Sequence, residues 1–231
     1  MNNNILNHLQ PATKQPMKYK YYPTLENITN NPYGISDESV ELIKKKPFFQ
    51  RVVSCFVRNN IDGADANGDL IRLGALLNAR SQEVEQLRNE QSLVERLHIE
   101  EGLPIFTPFC TLQYDFTKRT YYPITYTCLL DFDIRQESNQ GIDLTDLKHE
   151  LSELPQMYYC GLATNGIDLF CIVPIAYPKR YSDHAAALIR QFRKQGIIIG
   201  IADNITHTRT ISSDPNGYFN ESAKEFTMLG S

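Results

Sequence analysis

The stretch "TCLLDFDI" (127–134) sets two aspartates, Asp131 and Asp133, one residue apart at the end of an apolar run. In an extended strand, residues i and i+2 point to the same face. Two carboxylates side by side on an otherwise buried strand repel each other and lose hydration. Something must compensate them: a metal ion, a basic partner, or water at a strand end. A third acid, Asp203, closes another apolar run, "IIIGIAD" (197–203). If both runs are strands of one sheet, the three carboxylates meet. Such a cluster suits a hard divalent cation, Mg²⁺ or Mn²⁺, which takes oxygen ligands. Two such ions at one site activate a hydroxyl nucleophile and hold a triphosphate in line. The spacing alone is equally that of a solvated strand edge.

The elements that must position these residues can be read from periodicity and turn chemistry. "SDESVELIKKK" (36–46) predicts a helix with Ser36 or Asp37 as cap, acids first and lysines last. A strand is expected over 51–58 and a loop over 59–69; that loop lacks the spacing of a calcium-binding loop. Two or three helices follow over 69–102, with one apolar stripe at Leu70, Leu73, Leu76 and Leu77 and another at Val84, Leu87, Val94 and Leu97. Strands are expected over 104–116 and 122–134, then a helix over 143–154. The runs 157–163 and 167–175 bracket Asn165-Gly166, a hairpin signal. A helix over 181–196 is stopped by Gly196, and the strands 197–203 and 208–214 complete the chain. The pattern is α+β: an antiparallel-rich sheet with helices packed on one face. Residues 1–34, rich in Asn, Gln, Pro and Tyr, read as a flexible arm ahead of one domain over 35–231.

Composition narrows the class of protein. The 231 residues carry a net charge of −4, and no apolar run is long enough to span a membrane. The N-terminus has no signal-peptide pattern, so a cytoplasmic protein without membrane contact is expected. The five cysteines form no CxxC pair and read as buried thiols. Basic residues cluster locally, and Arg190, Arg193 and Lys194 on the helix 181–196 are the first candidates for a DNA-binding face.

Four stretches carry a resemblance. These are "EEGLPIFTPFCTL" (100–112), "YPITYTCLLDFDI" (122–134), "YSDHAAALIRQFRKQGIIIGIAD" (181–203) and "TRTISSDPNGYFNESAKEF" (208–226). The last is the most specific: Arg209, then Asp214, Pro215, Tyr218, Asn220, Ala223 and Phe226. From about residue 51 onward the chain resembles the VirE N-terminal domain family, a branch of the archaeo-eukaryotic primase (primase-polymerase) superfamily found in replication proteins of mobile elements, plasmids and phages. The resemblance implies an RRM-like primase palm that polymerises nucleotides on a DNA template with two Mg²⁺ or Mn²⁺ ions. Asp131, Asp133 and Asp203 would be its catalytic metal ligands. Arg209 would lie near the triphosphate or pair with an aspartate, and Asp214 would cap the closing turn. Partners would be a DNA template, nucleoside triphosphates and a separate helicase or replication protein, since the chain has no P-loop. The family's second motif, a Ser- and Gly-rich hairpin with a Lys that contacts phosphate, corresponds here to "GLATNGIDLF" (161–170). Thr164, Asn165 and the Gly166 amide could still donate to phosphate, but Asp168 stands near the usual Lys. His207, or His184, could substitute. The alternative is a primase fold without catalysis that binds single-stranded or primer-template DNA, or a replication partner.

Overall fold

The computed structural model describes residues 34–56, 68–79 and 81–230. The arm 1–34 and the loop 59–69, with its calcium-loop likeness, fall almost wholly outside them. The chain begins with α1 (Asp37–Lys44), whose cap Ser36 accepts from the Ser39 amide. β1 (Val52–Phe56) pairs with β2 (Asp69–Arg72), and α2 (Leu73–Asn78), α3 (Gln82–Asn89) and α4 (Leu93–Gly102) follow. β3 (Ile105–Phe106), the hairpin β4 (Cys110–Asp115) and β5 (Thr120–Tyr126), and β6 (Leu129–Ile134) come next. Then come α5 (Leu144–Ser152), β7 (Tyr159–Leu162), β8 (Leu169–Pro174), α6 (Tyr181–Lys194), β9 (Arg209–Thr210) and β10 (Tyr218–Phe219). The fold is α+β, with antiparallel sheets ordered β2-β1-β3-β9 and β10-β7-β8-β6.

Four expectations are corrected by pairing and packing. Residues 69–72 are strand rather than helix, because β2 pairs along β1; Leu70 is therefore exposed and the first apolar stripe starts at Leu73. The second stripe is buried only at Val84 and Leu87, while Val94 and Leu97 face outward. The run 122–134 is two strands in different sheets. The chain kinks at Cys128, a non-glycine residue at φ 59°, and the buried Thr127 hydroxyl donates to the Pro108 and Phe109 carbonyls across the bend. The expected strand 197–203 shrinks to one antiparallel bridge, Gly200 against Asp133. Its neighbour Ile198 pairs instead with the side chain of buried Asn139, through bonds of 2.8 and 2.9 Å.

The central sheet has two different faces. Alternation along β6 sends Leu130, Phe132 and Ile134 to one side, where they share a core with Leu144, Leu147 and Leu151 of α5 and with Leu188 and Phe192 of α6. The Phe132 and Phe192 rings lie 5.2 Å apart. The other side carries Leu129, Asp131 and Asp133. There Leu129, Phe170 and Ile172 share a second core with Val53, Leu73 and Phe106 of the first sheet and α2. The helices α5 and α6 thus pack on one face, and the sheet β2-β1-β3-β9 covers part of the other. Where that cover ends, a cleft opens over Asp131 and Asp133.

Candidate functional site

The sheet itself decides how the aspartates are presented. Asp131 stands opposite Ile172 and Asp133 opposite Phe170, both within regular antiparallel pairing. Asp131 is 1% exposed and lies inside the sheet, whereas the Asp133 side chain, at 26%, reaches the rim. Their compensation is a basic partner. Arg209 of β9 donates from Nε to Asp131 Oδ2 at 3.0 Å and from Nη1 to Asp133 Oδ1 at 2.7 Å. Its guanidinium lies 4.2 Å above the centre of the Phe170 ring. A planar fork spans two carboxylates two residues apart in a way that a Lys ammonium cannot.

His207 completes the cluster. Its Nε2 sits 2.9 Å from Asp131 Oδ1 and 3.1 Å from Oδ2, with hydrogen-bond geometry toward Oδ2. Its Nδ1 lies 2.7 Å from the Asn204 carbonyl oxygen. Carbonyl and carboxylate oxygens only accept, so the imidazolium form, with a proton on each ring nitrogen, is the one that satisfies both contacts. Burial works against that charge, but Asp131 outweighs it and raises the His207 pKa. Burial alone would push the Asp131 carboxyl up; the charges and hydrogen bonds of His207 and Arg209 hold it at about 2. The two carboxylates and two cations form a neutral, largely buried quartet.

Asp203 does not join. It is exposed, outside the cleft, because the run that should carry it to the sheet leaves after the Gly200 bridge. Among the described residues no group of three or more His, Cys, Asp or Glu side chains is arranged to hold a metal ion. The donor chemistry of the pair still fits a hard cation in part: two carboxylates share a face, and Asp131 Oδ1 takes no hydrogen bond of proper geometry. A divalent ion there would compete with Arg209 for both acids.

The cleft, about 860 Å³, is floored by Asp131, Asp133, His207 and Arg209 and rimmed by Glu100 of α4, Arg135 and the β7–β8 turn. Most of that turn's donors are already engaged. The Gly166 amide donates to Ala163 O at 2.9 Å. The Thr164 hydroxyl donates to Ile211 O at 2.8 Å, and one Asn165 amide hydrogen goes to Asp168 Oδ2 at 2.8 Å. Asp168, near the position of the family's phosphate-contacting Lys, uses Oδ1 to accept the Gln136 amide at 2.9 Å. Gly166, at φ 73°, packs on the Arg88 stem so closely that a Cβ would lie 2.8 Å from Arg88 Cδ.

Sequence reasoning missed Arg88. From α3 it donates to the carbonyls of Ala163, Thr164 and Ser213 at 2.7, 3.2 and 2.7 Å, tying the turn to the segment after β9. Nothing local in "QLRNE" announces this; only the arrival of three carbonyls from distant segments does. Asp214 caps the closing turn by accepting the Asn216 amide, and it also receives the Leu162 amide and Lys148, the latter at 2.6 Å.

Two other groups of candidates lie elsewhere. Arg190, Arg193 and Lys194 are exposed on α6, which packs on the opposite face of the sheet from the aspartates, and none of them lines the cleft. The alternation of β6 makes this unavoidable once Phe132 meets Phe192. His184 is a buried residue of α6, where its Nε2 accepts the Tyr177 amide and burial pushes its pKa down to about 4. It is a neutral core residue.

No helix among the described residues is long and apolar enough to cross a membrane. Compared with known proteins, the chain matches no family model, no curated protein and no solved structure.

Proposed function

We propose that the chain is a primase-type module, of the kind used by mobile elements and phages, whose cleft joins nucleotides on a DNA template. One observation carries this reading: an Asp-x-Asp pair on the face of β6 turned away from α5 and α6, opening into a cleft large enough for a nucleotide. The surrounding topology supports it. β6, α5, β7, β8, α6 and the Gly200 segment follow in chain order, with spatial order Gly200 segment-β6-β8-β7, all antiparallel. This order is the one a split βαβ plan would take, and it favours the RRM-like palm of this reading.

In this reading Asp131 and Asp133 hold Mg²⁺ or Mn²⁺. When bound, the ion supplies Lewis-acid activation of the attacking hydroxyl and charge for the triphosphate. Phe170 and the first sheet keep the acids rigid and partly dry, and Arg209 and His207 neutralise them before ligand arrives. Nucleoside triphosphates and DNA are the ligands, and a separate helicase or replication protein is the expected partner.

A second reading, a primase fold that binds DNA or nucleotide without catalysis, is favoured by the firm hold of Arg209 on both acids and by the committed donors of the β7–β8 turn. Template-directed incorporation separates the two. The protein is incubated with single-stranded DNA, labelled ribo- and deoxyribonucleotides and Mn²⁺ or Mg²⁺, beside a folded Asp133→Asn variant. Incorporation by the wild type alone is the expected result. DNA binding with no incorporation under any of these conditions would overturn catalysis in favour of the binding module.

A further inference from the structure

Among the described residues, three side chains lining the cleft bear, or can bear, positive charge: Arg135, His207 and Arg209. Two are committed. Arg209 is locked to Asp131 and Asp133 and stacked on Phe170, and His207 bonds at both nitrogens. Arg135 is different. Its side chain is 59% exposed, and its ion pair is a 3.8 Å approach to Glu137, which is itself 78% exposed. An ion pair so open to water is worth little and is readily exchanged.

The backbone aims Arg135 at the right place. It follows β6 directly and keeps extended angles, φ −88° and ψ 132°. Asp131, Asp133 and Arg135 therefore continue one i, i+2, i+4 series on the same face, about 7 Å apart per step. A ligand group lying beside Asp133 is one step from the guanidinium. Across the cleft, the Thr164 hydroxyl and Gly166 amide are already bonded and Asp168 is negative. The β7–β8 turn therefore offers a phosphate little.

We propose that Arg135 is the phosphate-binding cation of this cleft, releasing Glu137 to grip a phosphate that lies beside the Asp131–Asp133 pair. The inference rests on the primase-type reading and gives that site an anion anchor. A guanidinium binds phosphate through two parallel N–H bonds. The phosphate belongs either to the tail of a nucleoside triphosphate or to the backbone of a DNA strand.

The test uses the full chain, isothermal titration calorimetry in Mg²⁺ buffer, and four probes: ATP, inorganic tripolyphosphate, adenosine and a single-stranded oligodeoxynucleotide. Arg135 is exposed, so Arg135→Gln should fold as wild type does, which the melting temperature checks. Arg135→Gln is expected to weaken a phosphate-bearing probe by roughly tenfold to a hundredfold and leave adenosine unchanged. Arg135→Lys should recover part of the loss, and Glu137→Gln should tighten binding. Loss confined to ATP and tripolyphosphate assigns the nucleotide tail. Loss confined to the oligonucleotide, with a salt slope smaller by about one, assigns the strand backbone. Unchanged binding of every phosphate-bearing probe in Arg135→Gln overturns the inference alone. A wild type that binds none of the probes overturns the primase-type reading and the inference with it.

Discussion

Strand β6 presents two faces built from alternate residues of six, and they could hardly differ more. Leu130, Phe132 and Ile134 disappear into a core under α5 and α6; Asp131 and Asp133, one residue out of phase, meet a guanidinium and an imidazolium. The apolar face holds by area and close packing, which tolerate any pH. The charged face holds by matched charge, which does not. The strand thus anchors itself with one side and carries the paired charges on the other, and a one-residue slip in register would exchange the two.

The largest expected effect lies on the apolar face. Phe132→Ala removes a fully buried ring from between the sheet and α6, and should cost about 3–5 kcal/mol in urea denaturation. The pH response described next should survive in that variant. A loss below about 1 kcal/mol would mean that α6 is not seated on this face.

The charged face should show itself in two opposite pH arms. The Asp131 pKa is depressed, so its contribution is present above the ordinary carboxylate value and lost as pH falls toward about 2; linkage puts this at about 2 kcal/mol. The His207 pKa is raised, so its contribution is complete below the ordinary imidazole value and lost as pH rises through the shifted one. Asp131→Asn should flatten both arms together, because each shift depends on the other partner. Stability curves against pH that keep the alkaline arm in Asp131→Asn would show that His207 is charged for another reason.

The third effect, local to one turn, sharpens the contrast at the cleft's rim. Arg88→Ala leaves three carbonyls without their donor and should cost about 1–3 kcal/mol. Amide exchange at Gly166, whose hydrogen bond closes the β7–β8 turn, should quicken, with the amides of β6 unaffected. Equal protection at Gly166 in wild type and variant would show that the turn stands without its brace.

Much of the scaffold was legible. The Asn165-Gly166 turn, the capped helix at Ser36 and the helix ending at Lys194 before Gly196 follow from local rules, because caps, turns and periodicity act over a few residues. The boundaries that failed are those set by distant partners. Residues 69–72 became strand because β1 was there to pair with. The run 122–134 divided at Cys128 because its halves serve different sheets. Asp203 was placed with the acids because "IIIGIAD" looks like a complete strand. Its pairing stops at Gly200, where the Asn139 side chain takes over Ile198.

That Asp131 and Asp133 share a face and need compensation is written in the chain, since alternation and like-charge repulsion are properties of the strand alone. What compensates them comes from long-range packing. Arg209 lies 76 residues beyond Asp133 and reaches it through a two-residue strand paired to β3, a contact that no local pattern encodes. The same is true of Arg135: its place in the i, i+2, i+4 series is written in the sequence, but its freedom is visible only once Arg209 and His207 are seen to be bound.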